Sequence, residues 1–198
     1  MKEFIRALVF AAAKHRDQRR KDATAAPYIN HPIAVANVLA NEAGITDPIV
    51  LCAALLHDTI EDTKTTAAEL EEQFGRKVTS VVLEITDDKS LEKPIRKQLQ
   101  IDNSARLSAE AKLVNLADKI CNLRDTAVSP KVGWSFERTE AYFDWAAQVI
   151  AGMRGINPTL EALFDEVYMR GKPKGLSVPG QETPAWPRAL LIRETYPP

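Results

Sequence analysis

The chain is short of cysteine, glycine, histidine and net charge, and each shortage excludes something. Two cysteines, Cys52 and Cys121, in 198 residues cannot build the disulfide framework of a small secreted protein, so a reducing, cytoplasmic setting is expected. Eight glycines and the lack of any long period-2 alternation point away from strands. The longest apolar run, Ile49–Leu56, is far short of a membrane span. The 26 Lys and Arg residues nearly cancel the 27 Asp and Glu residues, leaving −1. That balance excludes a nucleic-acid binder acting through bulk positive charge, and an acidic disordered chain. The opening MKEFIRALVFAAAKH carries Glu3 and Arg6 beside a short apolar stretch, and reads as a first helix rather than a signal peptide.

What is present is helical patterning, and the expected fold class is all-α. A first helix is expected over Lys2–Arg19. Asn30-His31-Pro32 opens a second, with proline in the first turn where its missing N–H costs nothing, and Gly44 closes it. Asp47-Pro48 starts a third, buried on all sides. Thr66 with Glu69 forms a capping box for a fourth, ended by Gly75. Val78–Ile85 follows as a fifth, with strand as the rival reading because of its β-branched residues. Further helices are expected over Lys93–Asn103, Ser108–Arg124, Ser135–Met153 and Asn157–Gly171. Residues 172–198 hold six of the twelve prolines and read as an extended tail beyond a domain of residues 1–171. No internal repeat is visible, which excludes a solenoid.

Three histidines make each one informative. His57-Asp58 follows eight apolar residues, placing imidazole and carboxylate at the rim of a core. Alone, that dipeptide is usually a solvated helix end. His31 at the start of the second helix and Asp118 within an apolar helix change the balance, because a carboxylate beside a buried stripe needs a partner or a metal. His31, His57, Asp58 and Asp118 are thus candidate ligands from three helices, with the N/O donors that suit Mn, Fe or Zn. Two His and two Asp leave coordination positions open, the layout of a hydrolytic rather than a structural site.

Glu61 and Asp62 follow at once. They either activate a water or form the acidic lead-in to the Thr66 helix, and both readings stand. The run Lys14–Lys21 contains five Lys or Arg in eight residues. It is either a solvated helix face or, with Arg20 and Lys21 leading toward Tyr28 and His31, a grip for phosphate. Tyr28 could stack on a base. Asn122 shares a face with Asp118, and Trp134, Arg138 and Tyr142 recur at four-residue spacing along the eighth helix. A phosphorylated nucleotide is the natural ligand for this set.

These residues resemble a known family. His31-Pro32, His57-Asp58, Glu61-Asp62-Thr63, Leu116-Ala117-Asp118-Lys119 and Asn122-Leu123-Arg124-Asp125 look like the hydrolase half of the RelA/SpoT proteins, within the HD-domain metal phosphohydrolases. Arg19-Arg20-Lys21, Pro27 to Pro32, Thr86-Asp87-Asp88-Lys89 and Gly133-Trp134-Ser135 are most similar to the stand-alone small alarmone hydrolases. The resemblance covers about residues 1–170 and implies an HD-domain helical bundle holding Mn²⁺. It implies hydrolysis of guanosine tetra- or pentaphosphate (ppGpp or pppGpp) at the 3′ position, giving GDP or GTP and pyrophosphate. His31, His57, Asp58 and Asp118 would ligate the metal, and Glu61 and Asp62 would activate water. Arg20, Lys21, Tyr28, Asn122, Arg138 and Tyr142 would hold the nucleotide. Asn115 and Cys121 depart from the family pattern. An NADPH 2′-phosphatase, a general HD nucleotidase and a non-catalytic alarmone-binding module are the alternatives. The partner expected is a small nucleotide, with no nucleic acid and no membrane, and a homodimer is left open.

Overall fold

Helix α3 (Pro48–Leu56) organises the bundle because it is apolar on every side and must be surrounded. The computed structural model describes residues 1–21, 24–129 and 131–173. In it α3 packs against α1 (Lys2–Lys14), α2 (Asn30–Asn37), α5 (Ala67–Ile85) and α7 (Ala109–Val128). Asp47 caps α3 by accepting the Ile49 N–H at 2.7 Å, with Pro48 at its first position. Val50 and every residue from Cys52 to Leu56 are buried. Both cysteines are free and buried. The one-turn helix α4 (Thr59–Asp62) follows α3 directly, and α6 (Lys93–Asn103) packs on α8 (Phe136–Ala151). Helix α9 (Pro158–Gly171) covers α7. The described residues contain no strand, only an isolated antiparallel bridge between Arg19 and Pro27. No helix among them is long and apolar enough to cross a membrane. Residues 174–198, most of the expected tail, lie outside the described residues.

Most boundaries follow the caps. Ser108, Ser135 and Asn157 accept N–H groups at the starts of α7, α8 and α9. Thr66 accepts the Glu69 N–H at 3.1 Å, but Glu69 spends its carboxylate on Lys14 at 2.7 Å rather than returning the capping-box bond. Gly44 ends the α2 region at φ +67°, after a π turn over Val38–Glu42. Gly75, at φ +80°, breaks α5 into the two expected segments, and the second is helix rather than the rival strand.

Three expectations need correction. Helix α1 stops at Lys14, not Arg19, because His15 turns inward and is buried, and Gln18 donates its N–H to the His15 carbonyl. The basic run therefore rounds a corner instead of lining a helix face. Helix α7 continues one turn past Arg124 to Val128, where Thr126 is buried and its hydroxyl donates to the Asn122 carbonyl. Trp134 precedes α8 rather than lying in it, although its ring still packs on both Arg138 and Tyr142.

Gly152, the C-cap of α8, has helical φ and ψ, so alanine suits its backbone. A Cβ there would overlap the buried Ser104 Oγ and lie 3.1 Å from the Ala105 N. Gly152→Ala is expected to cost about 1–3 kcal/mol. Chemical denaturation checks this, and the penalty should shrink in a Ser104→Gly background.

Candidate functional site

Four groups converge where α2, the α3–α4 junction and α7 meet. His31 enters from the first turn of α2. His57 and Asp58 occupy the junction, and Asp118 sits midway along α7. His31 Nε2 lies 3.0 Å from Asp118 Oδ1 and 3.8 Å from Asp58 Oδ2. His57 Nε2 lies 3.1 Å from Asp58 Oδ2 and 3.7 Å from Asp118 Oδ1. Donor atoms of His31, His57 and Asp118 fall within 4.8 Å of one another.

The tautomer of His57 is fixed by its backbone neighbour. Its Nδ1–H donates to the Ala54 carbonyl at 2.8 Å, leaving Nε2 buried, facing the carboxylates, and without a hydrogen-bond partner. Two acidic oxygens against a lone pair are held together only by positive charge. Burial lowers the His57 pKa, but Asp58 and Asp118 outweigh it and raise it well above the usual imidazole range. Burial opposes charge on Asp58 too, yet His57 and His31 hold it below the carboxylate range. Lys119, at 2.9 Å, and the histidines do the same for Asp118 against its burial. A ligand imidazole with its far nitrogen on a carbonyl and an oriented carboxylate beside it is the arrangement a divalent cation requires. The donor set fits such an ion, supplied by His31, His57 and Asp118 with Asp58 adjoining.

The acidic pair stands beside this cluster. Glu61 Oε2 accepts the Asp87 N–H at 3.2 Å, and burial raises the Glu61 pKa. The Tyr28 hydroxyl lies 2.7 Å from Asp58 Oδ2 and 2.9 Å from Asp62 Oδ2, so its single proton serves one or the other. Burial and both carboxylates raise the Tyr28 pKa, so it remains a donor. Lys89 pairs with Asp62 Oδ1 and stands 3.6 Å from Glu61 Oε1. Asn122 donates to Asp118 Oδ1 at 2.6 Å, and Arg20 holds Asp125 at 2.6 Å while reaching Asn122 at 3.3 Å.

Around these groups opens a cleft of about 460 Å³ lined by eight Lys or Arg and six Asp or Glu side chains. Arg20, Lys21, Tyr28, His31, His57, Asp58, Glu61, Asp62, Asp118, Asn122 and Tyr142 all line it. Of the twelve residues expected to hold the metal, the water or the nucleotide, Arg138 alone is not part of the lining, and its guanidinium lies 4.7 Å over Trp134. Of the basic run, Arg19 to Lys21 reach the cleft, whereas Lys14 pairs with Glu69 and Arg16 with Asp17. Lys89, Asp87, Arg96, Lys93, Lys119 and Lys131 line it without having been assigned roles. The Thr86–Lys89 motif was the available signal for Asp87 and Lys89.

Among the described residues no carboxylate pairs with Lys93, Lys97 or Lys131. Lys97 lies 4.5 Å over Trp145, and Lys131 lies 4.9 Å over Trp134 and 5.1 Å over Tyr142. Burial, then Arg20, pushes Lys131 down to about 8.

A family model described as HD domain matches residues 7–140. The human guanosine-3′,5′-bis(diphosphate) 3′-pyrophosphohydrolase MESH1 is 52% identical over 89% of this chain and 97% of its own length. The Xenopus tropicalis and Drosophila melanogaster MESH1 proteins are 52% and 51% identical, covering 83% and 84% of this chain and 92% and 93% of theirs. A solved structure of a metazoan SpoT ortholog, described as hydrolysing ppGpp and acting in starvation responses, superposes with a TM-score of 0.84. It is 50% identical, over 86% of this chain and 96% of that one. The chain belongs to the HD-domain family and, within it, to the group formed by the MESH1 proteins.

The depressed Lys131 pKa carries a linkage with a definite sign. Between pH 8 and 10.5 the unfolded chain holds a proton that the folded chain has released, so this contribution to stability rises with pH and is lost as pH falls through 8. Denaturation midpoints at pH 7.5 and 9.5 should converge when Lys131→Met is compared with the parent.

Proposed function

We propose that the chain is a metal-dependent guanosine-3′,5′-bis(diphosphate) 3′-pyrophosphohydrolase, converting ppGpp or pppGpp and water into GDP or GTP and pyrophosphate. The observation that carries this is the unpartnered His57 Nε2 among His31, Asp58 and Asp118, inside a cation-lined cleft of a chain 52% identical to MESH1. His31, His57, Asp58 and Asp118 hold the ion, and Mn²⁺ is the assignment that imidazole and carboxylate donors support. When bound, such an ion lowers the pKa of water at its open positions and offsets phosphate charge. The setting is cytoplasmic, in line with two free cysteines, and residues 1–171 form the catalytic unit.

The chain's own groups supply the rest. Glu61, its pKa raised by burial, accepts the proton of the attacking water. Asp62, held by Tyr28 and Lys89, orients that water toward the 3′-linked phosphorus. The bond from this phosphorus to the ribose 3′ oxygen breaks, the 3′ oxygen leaves on GDP or GTP and takes up a proton from solvent or from the protonated Glu61, and the attacked diphosphate departs as pyrophosphate. Arg20, Lys21 and Asn122 hold the nucleotide from the α1–α2 connection and α7, and Tyr28 bears on the base or ribose. Tyr142 closes the inner wall, while Arg138, above Trp134, meets phosphate only at the rim. An excess of Lys and Arg in a cleft that already holds a metal cluster suits a substrate with two diphosphate arms better than a monophosphate.

Product analysis with ppGpp, NADPH and dGTP tests the reading. Pyrophosphate from ppGpp at the highest kcat/KM is expected. Preferred release of orthophosphate from NADPH, or of triphosphate from dGTP, would replace it with one of the alternatives. Tight ppGpp binding with no product would make the chain a binding module.

His57→Ala or Asp118→Ala should lower turnover by about 10³-fold or more while far-UV circular dichroism is retained. Asp62→Asn should keep the metal, measured by elemental analysis, and lose about 10²–10⁴ in kcat.

A further inference from the structure

His15 is a titratable side chain that the mechanism above leaves unused, although it is only 1% exposed. It stands just past the end of α1, where the chain turns toward the cleft. Its ring stacks on Tyr28 with centroids 4.9 Å apart and planes at 23°. Its Nδ1 lies 2.5 Å from Gln18 Oε1, and its Nε2 is buried with no partner. Gln18 Nε2 donates to the Asp62 backbone carbonyl, and the Gln18 carbonyl accepts the Tyr28 N–H at 3.1 Å.

The direction of this chain of hydrogen bonds is fixed from one end. The Asp62 carbonyl can only accept, so the Gln18 amide nitrogen must face it. The Gln18 oxygen then faces His15, and His15 must donate from Nδ1. Both branches lead to the same residue. One runs through Gln18 to the Asp62 backbone, and the other through the His15–Tyr28 stack to the hydroxyl 2.9 Å from Asp62 Oδ2. The cost of burying Nε2 without a partner is unexplained by packing alone, since an apolar side chain would fill the same space.

We propose that His15 and Gln18 are positioning residues: a relay from the end of α1 that fixes the backbone of Asp62 and the ring of Tyr28, and so the placement of the Asp62 carboxylate. The proposal rests on the assignment of Asp62 made above, and its test separates the two.

The metal-free protein gives the first readout. Histidine-ring ¹H–¹⁵N spectra should show His15 protonated at Nδ1 in a slowly exchanging signal that Gln18→Leu abolishes. The second readout is steady-state kinetics with ppGpp on the Mn²⁺-loaded full chain. Gln18→Leu and His15→Leu should lower kcat by about 10–100-fold, with KM within about threefold of the parent. His15→Asn, which keeps a donor near the Nδ1 position but loses the ring stacked on Tyr28, should recover part of that loss, with kcat at least about threefold above His15→Leu. A ring protonated at Nε2 alone would overturn the relay. So would Gln18→Leu with unchanged kcat, or equal losses in His15→Asn and His15→Leu, which would make the role packing. Failure of the parent chain to release pyrophosphate would overturn the function and leave the relay to be decided by the ring signal.

Discussion

The burial of two imidazoles against two carboxylates is the constraint on which the rest depends. His31 and His57 are almost inaccessible, and Asp58 and Asp118 keep 17% and 14% side-chain exposure. Two carboxylates in a low-dielectric interior call for positive charge beside them, which a divalent ion held by the four groups would supply. Each surrounding contact makes sense as orientation for that cation. The Ala54 carbonyl fixes the face that His57 presents, Lys119 and Asn122 donate to Asp118, and the Tyr28 hydroxyl holds the same Asp58 oxygen that faces both histidines. Helix α3 is apolar all round because it must deliver His57 to the centre of the bundle, and α7 brings Asp118 to meet it from the opposite side.

A second layer of charge is built on the first. Lys89 is compensated by Asp62 and so holds one of the cleft's own carboxylates in place, while Asp125 orients Arg20 at the cleft wall. Lys97 and Lys131 rest on aromatic rings, and burial with repulsion from neighbouring cations lowers the pKa values of both and of Lys93. Cations kept at such a cost are relieved by an arriving anion. A highly charged phosphate ester would therefore find a preformed site with one set of charges committed to structure and another available to it.

Much of this was legible in the sequence because the signals were local. Caps at Asp47, Thr66, Ser108, Ser135 and Asn157 set helix starts, and the proposed ligands could be picked from rare histidines and one aspartate beside a buried stripe. What escaped depended on contacts distant in sequence. The end of α1 is decided by burial of His15 beneath Tyr28, thirteen residues away, against a strong local helical pattern. Lys89 belongs to the site through Asp62, twenty-seven residues earlier, and the Thr86–Lys89 motif marks the segment without showing that partner. Glu69 was read as half of a capping box, but Lys14 offered it a better partner. Arg138 and Tyr142 both pack on Trp134, yet of the two only Tyr142 lines the cleft.

The central claim is that a single divalent ion occupies the His31/His57/Asp58/Asp118 cluster and is required for turnover. Titration of Mn²⁺ into chelator-stripped protein, following calorimetric heat and the initial rate of pyrophosphate release from ppGpp in parallel, tests it directly. Both should saturate at one ion per chain, and Asp118→Ala should abolish both. Full activity in the stripped protein, or undiminished binding in Asp118→Ala, would contradict it.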